Sequence, residues 1–207
     1  MKFVRIVLIS AISIVALLLV FGASNPSDLK IRAAEALEYC KENGYSEDYC
    51  LLVDYGRHSG KVRFFMWDFS KNRPVLKSLC AHGYGKGSTA KQAVFSNEVG
   101  SFCSSLGYYR VGTEKTMSKP KGRKALLLYG LEETNSNALQ RGILIHPVNL
   151  PAFTIFPFRI PVRVYRLGRY KIRPKSEGCI TIPFKTYTKV SETVKSSGAP
   201  LLLWVYD

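Results

Sequence analysis

One short segment joins a turn, a thiol and the start of a strand: Ser176-Glu177-Gly178-Cys179-Ile180-Thr181-Ile182. A glycine before the cysteine lets the backbone turn sharply and lets another molecule approach without meeting a Cβ atom. Apolar residues alternate after Cys179, which is typical of a strand. The pattern predicts a strand whose first residue presents a thiol, a suitable position for a nucleophile. The other interpretation of this segment is a structural cysteine at the start of a buried strand.

A nucleophilic thiol needs a lowered pKa and a base within hydrogen-bond distance. The candidate base is His146, which ends the apolar run 142–146 and is held in an extended conformation by the proline that follows it. Of the two other histidines, His58 lies in a predicted turn, whereas His82 could face the substrate or support the site. Every histidine precedes Cys179, an order opposite to that of papain-like endopeptidases, so the sequence disfavours those families.

The N-terminal residues indicate export. Lys2 and Arg5 precede an uncharged run over 6–21, and small residues follow at 22–24. This pattern is typical of a secretory signal peptide. Phe21 is bulky where a small residue is wanted for cleavage, so an uncleaved membrane anchor is the alternative. We expect residues 1–24 to be a signal or anchor helix and residues 25–207 to form one domain in the periplasm or cell envelope, with inner-membrane anchoring as the alternative.

Composition and charge narrow the choice of partners. The 207 residues are 46% hydrophobic and 22% charged, with a formal net charge of +15, so disorder and coiled coil are both excluded. A basic exported protein is expected to meet an anionic cell envelope rather than nucleic acid. The positive charge is concentrated between residues 159 and 175, where a solvated basic loop is the simpler interpretation.

Five cysteines in an oxidising compartment leave at least one thiol unpaired. Cys40 and Cys50 could close a small loop. Cys80 and Cys103 could pair, or they could be buried apolar thiols, which is the commoner fate of a free cysteine. The sequence leaves the connectivity open.

The remaining pattern is mostly β (α+β). A helix is predicted over 27–43 and a second over 183–197. Short runs rich in β-branched and aromatic residues predict strands over 50–55, 62–69, 75–81, 125–129, 142–146, 162–167, 179–182 and 201–206. We therefore expect a β-sandwich or open barrel with peripheral helices.

Taken together, these segments resemble the catalytic domain of the YkuD-like L,D-transpeptidases, and in particular the murein L,D-transpeptidase subgroup. The resemblance covers roughly residues 51–182. Its motifs occur in the order of the family: Ala81-His82-Gly83, Phe95-Ser96-Asn97, Gly100-Ser101, Ser104-Ser105-Leu106-Gly107, Tyr129-Gly130-Leu131-Glu132 with Asn135 and Ala138, Arg141, His146 and Ser176-x-Gly178-Cys179.

The resemblance implies acyl transfer on peptidoglycan stem peptides. Cys179 would attack the carbonyl of the L-centred third residue of a stem tetrapeptide, and His146 would take the thiol proton and later activate an acceptor amine or a water. The backbone N–H groups of Gly178 and Cys179 would receive the oxyanion. No metal or other cofactor is expected. Substrate contacts are implied for five residues, some of which could equally satisfy buried backbone groups: Ser176, Arg141, Asn97, Ser104 and His82.

Two positions depart from the commoner family signature. Glu177 and Thr181 stand where that signature has histidine and arginine. A carboxylate beside the nucleophile opposes thiolate formation, so we expect Glu177 to face solvent or to recognise a cationic part of the substrate. The separation of His146 from Cys179 is also longer than usual, and the insert over 147–175 is predicted to form a lid over the site.

Two alternative functions follow from the same residues. The first is a non-catalytic, basic cell-wall-binding protein that retains the fold, and it is motivated by Glu177 and the net charge. The second makes Ser104 or Ser105 the nucleophile, with His146 as its base.

Overall fold

A computed structural model describes residues 26–118, 122–148 and 176–207, and within them eight strands form one sheet with two helices packed against it. The helices are α1 (Pro26–Asn43) and α2 (Phe184–Ser196). The strands are β1 (Tyr49–Asp54), β2 (Phe64–Asp68), β3 (Arg73–Ser78), β4 (Gly107–Thr116), β5 (Lys124–Gly130), β6 (Leu144–Val148), β7 (Ile180–Pro183) and β8 (Leu202–Tyr206).

The sheet curls until its two edges almost meet. Its strand order is β3-β2-β1-β8-β4-β5-β6-β7, with β1/β8 and β6/β7 parallel and the other pairs antiparallel. Beyond the end of β3, the N–H of Ala81 donates to the carbonyl of Thr181 in β7 at 3.0 Å. The two edge strands are therefore linked, and the predicted open barrel with peripheral helices is confirmed.

The barrel interior is a continuous apolar core. Alternate residues of the strands point inward, as the two-residue period of a strand requires. Tyr187 and Val190 of α2 pack against this core. The strand residues in it include Leu51, Val53, Phe64, Tyr109, Val111, Leu126, Leu128, Ile145, Ile180, Ile182, Leu203 and Val205.

A second core lies outside the barrel, beneath α1. The buried face of this helix carries Leu29, Ala33, Ala36 and Cys40 at helical spacing. It packs against Cys50, Leu52, Phe65, Trp67, Leu202 and Trp204, which point outward from β1, β2 and β8. The helix ends at Asn43, and Gly44 follows it with a φ of +72°. This conformation allows the N–H of Tyr45 to donate to the carbonyl of Cys40 at 3.0 Å, which caps the helix end.

Most of the predicted elements are confirmed with shifts of a few residues at their ends, including both helices. The sequence did not predict β4, which pairs with both β5 and β8 and carries a register shift between Val111 and Glu114. All five cysteines are free thiols, so the possible Cys40–Cys50 and Cys80–Cys103 bridges are absent.

Several expectations fall outside the described residues: the leader over 1–24, the basic stretch over 159–175, the strand over 162–167 and most of the insert proposed as a lid. Of the two helices that the structure describes, neither is long and apolar enough to cross a bilayer.

Candidate active site

The turn before β7 depends on a glycine. Gly178 is buried with φ +109°, and a Cβ atom there would lie 2.6 Å from the carbonyl oxygen of Cys103. The hydroxyl of Ser176 donates to the carbonyl of Cys179 and closes the turn. The N–H of Tyr84 anchors it from outside by donating to the carbonyl of Ser176 at 2.9 Å. Ser176 therefore shapes the turn from within, and direct contact between Ser176 and a substrate stays a prediction.

The parallel pairing of β6 and β7 sets the relation between the candidate nucleophile and base. Ile145 pairs with Ile180, and His146 pairs with Thr181. Cys179 immediately precedes β7, so the two-residue period directs its side chain to the same face as Thr181 and His146. In ideal strands, with a spacing of about 4.8 Å and a rise of about 3.3 Å per residue, two residues in this relation have Cα atoms about 8 Å apart. Side chains on one face can meet across this distance.

The thiol of Cys179 is partly exposed and protonated at neutral pH. Its Sγ donates to the carbonyl of Gly142 at 3.6 Å. The pKa of Cys179 is raised to about 11, chiefly by burial and also by the Glu177 carboxylate, while the backbone N–H of Leu144 and the guanidinium of Arg141 act to lower it. The sulfur is therefore a thiol that must lose its proton during attack rather than a preformed thiolate.

His146 has the protonation state of a general base. His146 is half-buried, and this burial lowers the pKa of its ring. The nearby positive charge of Arg123 acts in the same direction. Its Nδ1 lies 3.3 Å from the carbonyl oxygen of Pro147. Because a carbonyl only accepts, Nδ1 is the donor and Nε2 holds the lone pair. A backbone carbonyl thus orients the imidazole.

Arg141 binds the loop beside the thiol rather than open space. Its guanidinium donates to the carbonyl of Ser96 at 2.8 Å, to the hydroxyl of Ser105 at 3.1 Å and to the carbonyl of Cys103. These contacts fix the 96–105 segment against the Gly178 turn. Arg141 therefore satisfies backbone groups, which is one of the two roles the sequence left open for it.

Ser104 and Asn97 also hydrogen-bond within the protein. The Ser104 hydroxyl accepts from the N–H of Gly83 at 3.0 Å and donates to the carbonyl of Gly178 at 3.3 Å. The amide of Asn97 donates to the carbonyl of Glu133 at 2.8 Å and accepts from the N–H of Asn137 at 3.1 Å. Both residues join loops around the site, and their contact with a peptide stays a prediction.

The two serines are poor candidates for a nucleophile. The hydroxyl of Ser104 is engaged by two partners, and that of Ser105 lies 2.8 Å from the hydroxyl of Tyr109 and accepts from Arg141. Both side chains are buried. Cys179 is partly exposed as a residue, whereas both serines are buried, and this difference favours Cys179 as the nucleophile.

A buried arginine escaped the sequence analysis. Arg63 is only 1% exposed, and its Nε donates to the carbonyl of Cys80 at 2.6 Å. Its guanidinium carbon lies over the ring of Tyr55, 4.8 Å from the ring centroid. Its Nη2 lies 2.7 Å from Nδ1 of His82. A guanidinium only donates, so His82 accepts at Nδ1 and carries its proton on Nε2. His82 is thus a buried partner of Arg63 behind the site. The sequence feature that could have indicated a buried arginine is the position of Arg63 directly before the apolar run 64–67.

Among the described residues, no three His, Cys, Asp or Glu side chains are grouped as a metal site.

A model of the YkuD_2 family, described as the L,D-transpeptidase catalytic domain, matches residues 24–205. The chain belongs to this family, as the sequence resemblance predicted. Comparison with curated proteins gave no match.

Among solved structures, the helical cell shape determining protein Pgp2 from Campylobacter jejuni is 16% identical with a TM-score of 0.45, covering 79% of this chain and 49% of Pgp2. A point mutant of Pgp2 is 15% identical with a TM-score of 0.46, covering 83% of this chain and 53% of the mutant chain. An L,D-transpeptidase from Xylanimonas cellulosilytica is 10% identical with a TM-score of 0.37, covering 82% of this chain and 68% of that one. The chain spans about half the length of the Pgp2 chains it matches.

Proposed function

We propose that this protein is a cell-envelope cysteine acyltransferase acting on peptidoglycan stem peptides, with Cys179 as nucleophile and His146 as general base. The observation that supports the proposal is the register of β6 and β7, which pairs His146 with Thr181, two residues after the partly exposed Cys179. Membership of the L,D-transpeptidase catalytic domain family supports the substrate class.

In the first step, Nε2 of His146 accepts the thiol proton as the sulfur attacks the carbonyl carbon of the L-centred third residue. The oxyanion of the tetrahedral intermediate is held by the N–H groups of Gly178 and Cys179. The C–N bond then breaks, and His146 returns the proton to the departing amine of the terminal D-amino acid. The product is a thioester on Cys179.

In the second step, an amine of another stem peptide or a water molecule attacks the thioester. His146 takes the proton of this nucleophile and gives it to the departing sulfur, which restores the thiol. An amine yields a cross-link (L,D-transpeptidase), and water yields a tripeptide (L,D-carboxypeptidase). Because burial raises the pKa of Cys179, the sulfur carries its proton in the free enzyme and needs His146 to accept it.

The site of action in this proposal is the periplasm or cell envelope. Its support is the sequence of residues 1–24, a basic start followed by an apolar run and small residues. The positive net charge would hold the protein near anionic wall polymers.

The direct test is incubation of the full chain with tetrapeptide muropeptides, followed by mass spectrometry. We expect cross-linked or tripeptide products from the wild type and neither from Cys179→Ala. The matched control is Cys40→Ala, which removes a thiol on the buried face of α1 and should keep the activity. Incubation with a carbapenem should add its mass to the wild type and not to Cys179→Ala. Unchanged turnover in Cys179→Ala would remove the nucleophile assignment.

One observation favours a second function, that of a non-catalytic wall-binding protein: the Glu177 carboxylate lies beside a thiol whose pKa is about 11. This function predicts that the protein pellets with insoluble sacculi, that salt weakens pelleting steeply, and that Cys179→Ala pellets like the wild type. Absence of any product from the wild type together with such pelleting would select it over the acyltransferase.

A further inference from the structure

An exposed acidic side chain stands beside the thiol in a strongly basic protein. Glu177 is two positions before Cys179, faces solvent and is hydrogen-bonded by the phenol of Tyr84. The chain as a whole carries +15. A cationic group that approaches this protein is repelled by most of its charge and is attracted locally by Glu177. The sequence expectation that Glu177 faces solvent therefore holds, and its second part, recognition of a cation, gains a physical basis.

One aromatic ring, that of Tyr84, interacts with Glu177, and a second, that of Phe102, stacks on Tyr84. Tyr84 stacks on Phe102 with ring centroids 5.2 Å apart and planes 14° from parallel. Phe102 is 42% exposed although it is a large apolar side chain, and its φ is +55°. This backbone region is costly for a residue other than glycine, and residues held in it cluster at ligand clamps. Neither the exposure of the Phe102 ring nor its backbone conformation stabilises the fold, which points to a role in binding another molecule.

The segments that carry these two rings are tied to the nucleophile turn by backbone hydrogen bonds. The N–H of Gly85 donates to the carbonyl of Phe102 at 3.0 Å, and the N–H of Tyr84 donates to the carbonyl of Ser176 at 2.9 Å. The carboxylate, the two rings and the thiol therefore sit on one connected set of loops. A group bound at Glu177 lies within reach of the acyl group on Cys179.

We infer that Glu177, Tyr84 and Phe102 form a subsite for a primary ammonium group of the peptide substrate. A carboxylate supplies a charge-assisted hydrogen bond, and aromatic faces attract a cation through their quadrupoles. The inference rests on the proposed function, because it places the ammonium group on a stem peptide. That group is either the side-chain amine of the donor or the amine of the acceptor before it loses its proton, and both have the same chemistry.

Occupancy of this subsite also activates the nucleophile. The charged groups that act on the thiol, among the described residues, are Glu177 and Arg141. Glu177 raises the pKa of Cys179, and Arg141 lowers it. A bound ammonium group neutralises the carboxylate and leaves the favourable charge of Arg141 in place. The enzyme would therefore deprotonate its thiol more readily when a cationic substrate is present.

The first experiment compares substrates in wild type, Glu177→Gln and the control Glu42→Gln, an exposed glutamate on α1. The substrates are a tetrapeptide donor with a free side-chain amine and the same donor with that amine acetylated. We expect Glu177→Gln to lower kcat/KM about tenfold for the free amine and not for the acetylated donor, whereas Glu42→Gln changes neither. An equal loss for both donors would overturn the subsite. If only the step with an added acceptor amine is slowed, the ammonium group is the acceptor's.

The second experiment needs no turnover. Alkylation of Cys179 by iodoacetamide is followed against pH with a free-amine stem tripeptide and with its acetylated form. The free-amine peptide should shift the profile to lower pH in the wild type but not in Glu177→Gln, and Tyr84→Phe, which keeps the ring, should retain part of the shift. An equal shift in Glu177→Gln, or none in the wild type, would overturn the inference. A shift without any turnover would keep the subsite and reject the proposed transferase.

Discussion

Thr181 pairs directly with His146 across β6 and β7, and its buried hydroxyl has no hydrogen-bond partner among the described residues. The side chain is 2% exposed. Burial of a hydroxyl without a partner costs roughly 1–3 kcal/mol. This cost falls on a residue that is paired with the candidate base and lies two positions after the candidate nucleophile.

Replacing Thr181 by valine should stabilise the protein. Valine keeps the branched shape and removes the unsatisfied oxygen, so we expect the free energy of unfolding to rise by about 1 kcal/mol in urea denaturation. The rate of peptide turnover should not change if the hydroxyl has no role in the reaction. A lower stability of Thr181→Val would mean that the hydroxyl finds a partner in the folded protein.

The thiol of Cys179 should react as a high-pKa group. Burial raises its pKa to about 11, so its alkylation rate should rise about tenfold per pH unit between pH 7 and pH 10. The measurement is the rate of iodoacetamide modification at position 179 by peptide mass spectrometry. The buried thiols of Cys40, Cys50, Cys80 and Cys103 should react slowly in the same digest. A plateau near pH 7 would instead indicate a preformed thiolate–imidazolium pair.

The lowered pKa of His146 predicts how turnover and stability change in acid. The acid limb of kcat/KM should lie below pH 6.5, because the folded protein keeps the neutral imidazole to a lower pH than a free histidine does. The unfolded chain binds the proton more readily, so stability rises with pH through this range and falls as the pH drops below 6.5.

The variant His146→Gln should remove that part of the stability change and should abolish turnover. The measurement is the midpoint of urea unfolding at pH 5 and pH 8 for both proteins. If the wild type and His146→Gln lose the same stability between these pH values, the titration of His146 contributes nothing to folding.

The local elements of this fold could be predicted from the sequence because their signals are local. The helix over Pro26–Asn43 ends before Gly44, which adopts a positive φ. The turn at Gly178-Cys179 likewise depends on a glycine with positive φ, so the glycine itself predicts the turn. In contrast, β4 lacks a clean alternation because a register shift interrupts it between Val111 and Glu114. Its strand character depends on pairing with β5, which follows it after a loop, and with β8, which is distant in sequence.

The sequence names the candidate residues of the site, but it does not reveal the contacts that hold them. Cys179 comes directly before β7, whereas His146, which the sequence placed at a strand end, lies inside β6 because the strand continues through Pro147 to Val148. The contacts of Arg141 are mostly backbone carbonyls, which every residue has and which no sequence pattern distinguishes. The Arg63–His82 contact likewise joins segments that only the barrel brings together. Such roles depend on tertiary structure and became visible only there.

Gly178→Ala should damage both the fold of the turn and the reaction. The added Cβ would lie 2.6 Å from the backbone oxygen of Cys103, and the φ of +109° is unfavourable for alanine. We expect a loss of about 1–3 kcal/mol in the free energy of unfolding and a fall in kcat/KM of at least tenfold, because a proposed oxyanion donor moves. The matched control is Gly198→Ala, where nothing lies within 4 Å of the added carbon. If urea denaturation and muropeptide turnover give the same values for Gly178→Ala and Gly198→Ala, the turn does not need its glycine, and the proposed geometry around Cys179 is wrong.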